Sequence, residues 1–245
     1  MLVPVREHAG SSTPHDPDDP IRLCDHFLGL ARAVRAYFHG VDRSLDLPRH
    51  RIELTNIEAV LDRALEHCDP ANSSFRHEVG YLTIAAGDMR LEIGQLSFAL
   101  RAHDRARAIY GDLAAADRSN PTWAHYLSVS WNRLGDVRRA QGDLAGALAA
   151  YEARHVIAER LAASDPGNAE WQRDLIVSNV KLAETRAGTG DGQGAAVHYR
   201  QALAVARVLA GSGRLAPVDA WMVAELEQRL AAAEGREADW VQPMP

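Results

Sequence analysis

Lysine is almost missing from this chain: Lys181 is the only one, and arginine fills every other cationic position. Cysteine is scarce too. Cys24 and Cys68 are the only two in 245 residues, which excludes a disulfide scaffold. Aromatics make up 6% of the residues, while Ala and Leu dominate an apolar share of 47%. That balance suits close helix-on-helix packing and argues against strands. No apolar run approaches the roughly 18 residues that a membrane-spanning helix needs. The opening MLVPVREHAG lacks the apolar stretch of a secretory signal, so a cytoplasmic setting is the expectation. An excess of positive charge is missing as well. A net charge of −6 gives no basic footprint, and neither nucleic acid nor a membrane is expected as a partner. No GxSxG elbow and no HExxH pair occurs, so no catalytic residue is signalled and the chain does not read as an enzyme.

What the chain does have is a repeat. Phe75, Trp123 and Trp171 recur at a step of 48 residues. Asp69, Asp117 and Asp165 keep that step, as do Asn72, Asn120 and Asn168, then Gly94, Gly142 and Gly190. Leu65, Leu113, Leu161 and Leu209 form a further register. Self-similarity at such a period marks a stacked helical array, in which each unit buries its apolar face against its neighbours.

Local signals agree on the boundaries. Residues 1–20 end in SSTPHDPDDP, too polar and proline-rich to bury anything, and read as a tail. Two apolar stripes at helical spacing follow: Leu23, Phe27, Leu30, Val34, Phe38, then Leu54, Ile57, Leu61, Leu65, Cys68. They predict a divergent hairpin over 21–70. Three units follow, at 72–117, 120–165 and 168–211. Each opens on an Asn able to cap its first helix, which stops at Gly94, Gly142 or Gly190. Asp143 and Asp191 are placed to cap the second helices; Gln95 is a poor substitute. A capping helix over about 218–234 carries Trp221, Val223, Leu226 and Leu230, and 235–245 forms a second tail. The expectation is an all-α solenoid of about nine helices.

The middle unit resembles the tetratricopeptide repeat: Trp131-x2-Leu134-Gly135, then Ala147-x3-Tyr151, then Pro166. It is most similar to a bacterial subtype with long helices. The likeness departs in its 48-residue period, and in Arg90, Arg138 and Arg186 where the family has tyrosine. It implies a right-handed superhelix of antiparallel pairs whose first helices line a concave surface. Carried over by position, those lining residues are Tyr81, Ile84, Asp88 and Leu91; Val129, Asn132, Asp136 and Arg139; Val177, Val180 and Glu184. The lysine-and-asparagine clamp for a C-terminal carboxylate is absent there.

Several constellations compete with bland readings. Asp88, Asp136 and Glu184 would form a carboxylate ladder, and Arg90, Arg138 and Arg186 an arginine ladder. Residues two apart do not share a helix face. The ladders therefore either pin the register between repeats or form a charged groove for a segment with basic and apolar side chains. Cys24, His26, His67 and Cys68 invite zinc, but their angular spread around two helices disfavours one tetrahedral focus, so no metal or cofactor is expected. GTGDGQG at 188–194 lacks the Lys-Ser/Thr of a phosphate loop and reads as a helix-helix turn. Taken together, these patterns lead to a non-enzymatic scaffold that binds a protein or peptide in its groove. The alternative is a ligand- or peptide-sensing module that regulates a separately encoded bacterial signalling or defence effector.

Overall fold

The computed structural model describes residues 71–240, together with Leu61 and Leu65. Every regular element among them is helical: α1 (Ser73–Glu92), α2 (Leu96–Ala116), α3 (Pro121–Ala140), α4 (Leu144–Ser164), α5 (Ala169–Gly188), α6 (Gly192–Gly211), a 3-10 turn (Pro217–Asp219) and α7 (Met222–Trp240). They fall into two compact units, Met1–Arg118 and Ser119–Pro245. In the first, α1 packs on α2; in the second, α3 to α6 each pack on the next helix in the chain. The tails and most of the hairpin expected over 21–70 lie outside the described residues, as do Cys24, His26, His67 and Cys68.

The helix ends lie where the sequence signals put them. Asn72, Asn120 and Asn168 each accept a backbone N–H from the first turn of α1, α3 and α5. Asp143 and Asp191 accept from Gly146 and Gly194 at 2.8 Å, whereas Gln95 makes no capping bond. Gly94, Gly142 and Gly190 take φ of 73°, 80° and 86°, the left-handed region that a side chain would strain. Gly190 and Asp191 confirm that GTGDGQG is a turn followed by a helix start.

The last helix corrects one expectation. It begins at Met222 and runs to Trp240, because Pro217–Asp219 forms a 3-10 turn in front of it. Arg173 of α5 anchors that turn with two bonds to the buried Asp219, at 2.7 and 3.1 Å. Trp221 consequently stands outside the helix and 60% exposed, and Met222 takes the buried position.

One packing device recurs within each pair. A ring from the second helix lies on a small residue of the first: His103 on Gly87, and Tyr151 on Gly135. Ala183 and Tyr199, both buried, hold the same register in the third pair. A second device trades volumes. Tyr110 lies on Gly80, and a Cβ at that glycine would stand 2.8 Å from the ring. The same two registers carry Ser128 and Ala158 in the next pair, then Ile176 and Ala206, all buried. The large residue is thus on the second helix in the first pair and on the first helix in the third, while the middle pair places a small residue on each side.

Candidate protein-binding face

The carboxylate ladder is tied into the protein in a way that the repeat alone does not specify. On α3, Asp136 accepts the hydroxyl of Tyr151 at 2.7 Å, the ammonium of Lys181 at 2.8 Å and the amide of Asn132 at 3.1 Å. Glu184 on α5 receives Arg229 of α7 at 2.5 Å and Arg139 of α3 at 3.5 Å. Arg229 also reaches Glu225, one turn away on its own helix, at 2.7 Å. These bonds join α3, α5 and α7 along one continuous strip. In the first unit, Asp88 lies 3.5 Å from the His103 imidazole.

The arginine ladder closes the turn within each pair. Arg90 bonds Gln95, Arg138 donates to the Gly146 carbonyl at 3.0 Å, and Arg186 holds Asp191 at 2.9 Å and Glu152 at 3.2 Å. Backbone amide and guanidinium together hold the Asp191 carboxyl below the usual range. Each arginine is in the last turn of its helix, where a cation also favours the helix dipole.

The lining residues carried over from the resemblance separate into three groups. Ile84 is buried at 7% exposure, so it packs the first unit's interior and cannot offer its side chain to an open groove. Tyr81, Asp88, Leu91, Val129, Asn132, Asp136, Val177, Val180 and Glu184 are half-buried, and Val180 also packs against the core of the second unit. Arg139 is exposed. Of these, Asn132, Asp136, Arg139 and Glu184 belong to the bonded strip.

Sequence reasoning missed the residues that hold the strip together: Tyr151, Lys181 and Arg229. The register offered a signal for one of them. Lys181 occupies the position of Arg133, so a cation precedes the ladder carboxylate by three residues in both units. Burial raises the Tyr151 pKa, and the adjacent Asp136 raises it further, so the hydroxyl remains a donor.

Behind the strip, Arg154 of α4 has a side chain only 5% exposed where the neighbouring units carry Ala106 and Ala202. It reaches Asp174 at 3.5 Å, and no protein atom accepts from its Nε or Nη1. Burial pulls its pKa down. Asp174 also accepts from His125 at 3.2 Å, and that bond raises the imidazole pKa. Two further histidines meet between α4 and α6. His155 bonds Ser178, His198 bonds Asn179, and their rings lie 5.8 Å apart. Desolvation lowers both pKa values. In the first unit a cavity of about 240 Å³ is lined by Leu61, Thr83, Phe98, Arg101 and Arg105. No group of three or more metal-ligating side chains occurs among the described residues. None of their helices is long and apolar enough to cross a membrane.

No family model matches the chain, and no curated protein matches it. Among solved structures it is similar to the crystal structure of BtubC (BKLC) from P. vanneervenii. The TM-score is 0.51 at 16% identity, covering 98% of this chain and 90% of that one. At that identity the likeness is one of fold: helices stacked in sequence order.

Proposed function

We propose that the chain is a tetratricopeptide-like array in the cytoplasm, with the right-handed superhelical course of that family. It carries out no chemistry of its own and holds a protein or peptide partner against the face built by its first helices. The observation behind this reading is the bonded strip. Asn132, Asp136, Arg139, Lys181 and Glu184 are held in fixed positions by ion pairs between successive first helices, yet keep part of their polar surface in solvent. Side chains already fixed lose little further entropy when a partner arrives. Val129 and Val177, half-buried on the same helices, supply apolar contact area beside them.

The test is affinity capture from a native lysate with the wild type and an Asn132→Ala/Arg139→Ala variant. Asp136 is left intact because three side chains depend on it. The variant should lose the partner that the wild type retains, with helicity and melting temperature unchanged. A partner retained equally by both proteins places binding elsewhere and rejects this face.

A further inference from the structure

The first unit carries its cavity of about 240 Å³ at positions where the later pairs place leucine, and its role is independent of the partner-binding reading above. Two departures from the repeat remove bulk from α1. Ala86 lines the cavity at the register of Leu134 and Leu182, each 1% exposed, and Thr83 lines it at the register of Trp131. Thr83 donates its hydroxyl to the Val79 carbonyl at 2.7 Å, so the polar demand of this floor is met within the helix. Three opposite departures build a wall on α2. Phe98 stands at the register of Gly146 and Gly194, Arg101 at that of Ala149 and Val197, and Arg105 at that of Ala153 and Gln201. No acidic side chain lines the cavity among the described residues. Phe98 is 39% exposed and Arg101 is exposed too, which puts them where the cavity meets solvent. The Arg101 guanidinium lies 4.4 Å from the centre of the Phe98 ring, and it has no carboxylate partner among the described residues. A guanidinium held over a ring keeps its N–H donors, which lie in its own plane, available to another acceptor.

We propose that this cavity binds a small organic carboxylate, its apolar body against Leu61, Ala86 and Ala102 and its charged end received by Arg101. The planar donor fork of a guanidinium matches a carboxylate. Arg105, which donates to the Leu61 carbonyl at 3.4 Å, adds a second positive charge to the same wall. An apolar cavity of about 150 Å³ takes up benzene, so this one has room for a single ring or a short acyl chain. A neutral analogue of the same shape keeps the apolar contact and loses the charge-assisted bond. A cationic analogue is repelled by both arginines.

Calorimetric titration of the full chain with hexanoate and phenylacetate, set against hexanamide, phenylacetamide and hexylamine, tests this directly. At least one carboxylate should bind with a Kd of about 1 mM or tighter, and its amide and the amine about tenfold more weakly or not at all. Arg101→Gln removes an exposed cation and should weaken that carboxylate about tenfold with the melting temperature unchanged. Ala86→Leu installs the residue of the later pairs. By filling the cavity it should abolish binding, while the melting temperature holds or rises. No heat of binding from either carboxylate at concentrations up to about 10 mM overturns the proposal. Equal affinity for a carboxylate and its amide overturns the charge assignment. Full binding by Ala86→Leu, or by Arg101→Gln, overturns the site. Should Ala86→Leu melt lower than the wild type, Arg101→Gln alone decides.

Discussion

The pair α1–α2 and the pair α3–α4 share one register and solve two packing problems differently. In the first, a large ring comes from the second helix, with Tyr110 on Gly80; in the second, Ser128 and Ala158 leave both sides small, and in the third pair the larger residue is Ile176 on the first helix, at the register of Ala206. The ring on the helix-one glycine changes as well, from His103 in the first pair to Tyr151 in the second. Only the tyrosine makes a short bond to its ladder carboxylate, at 2.7 Å against 3.5 Å for the imidazole. The repeat thus keeps the positions of the contact while both bulk and polar identity vary from pair to pair. Interiors are close-packed, so each pair must fill the space with its own neighbouring side chains, and a buried polar group needs a partner.

The sharpest way to break this comparison is to exchange the volumes in the first pair. Gly80→Ile should destabilise by about 3 kcal/mol, since its Cβ meets the Tyr110 ring. Tyr110→Ala should cost about 3–5 kcal/mol through its cavity and the lost bond to the His77 carbonyl. If the register trades bulk as described, the double variant should recover about 2 kcal/mol or more relative to additivity in urea unfolding. Additive losses would show that the two positions do not share one space in this pair.

Next in size is Leu161→Ala. Leu161 lies at the register of Leu113 and Leu209, all three buried, and its loss should cost about 2–5 kcal/mol. A change below about 0.5 kcal/mol would contradict that common role.

The middle pair's departure at Arg154 gives an asymmetric pair of variants. Asp174→Ala removes the carboxylate from a buried guanidinium and should cost about 3 kcal/mol. Arg154→Met removes an under-bonded charge at a position that is alanine in the neighbouring units, and should change stability by less than about 1 kcal/mol. Equal losses in the two variants would mean that the ion pair itself is the stabilising element.

The missing cap in the first pair should be repairable. Gln95→Asp places at α2 the residue that caps α4 and α6 and should raise stability by about 0.5–1 kcal/mol. No gain in denaturant midpoint would show that Gln95 already does as much through Arg90.

The smallest effects are those of pH. The His125 pKa is raised above 6.5 by Asp174, so its contribution is complete below the unfolded value and fades as pH rises through the folded one. His155 and His198 are lowered from 6.5 by burial, so the stability they favour is full above that value and falls as pH drops below it. Between about pH 7.5 and pH 5.5, His125→Gln should steepen the acid-side loss of stability and His198→Gln should flatten it. The same slope in both variants would refute the opposite assignments.

Helix ends, caps, turns and the buried leucine register were legible in the sequence because each depends on a few neighbouring residues and a period. Asn72, Asn120 and Asn168 cap their helices whatever the helices pack against, and Gly94, Gly142 and Gly190 adopt positive φ for a purely local reason. The last helix failed at its start because Arg173, 46 residues before Asp219, fixes the 3-10 turn. The charge ladders were visible as spacing, but their partners were not. Lys181 reaches Asp136, and Arg229 reaches Glu184, across 45 residues each, and only packing decides which cation arrives. Ile84 was misplaced for the same reason: a position on a helix face becomes core or groove according to what covers it. The sequence by itself determined where the chain turns and which positions recur, since backbone propensity and capping act locally. Tertiary structure alone decided which cation meets which carboxylate, because that pairing depends on side chains brought together from distant helices.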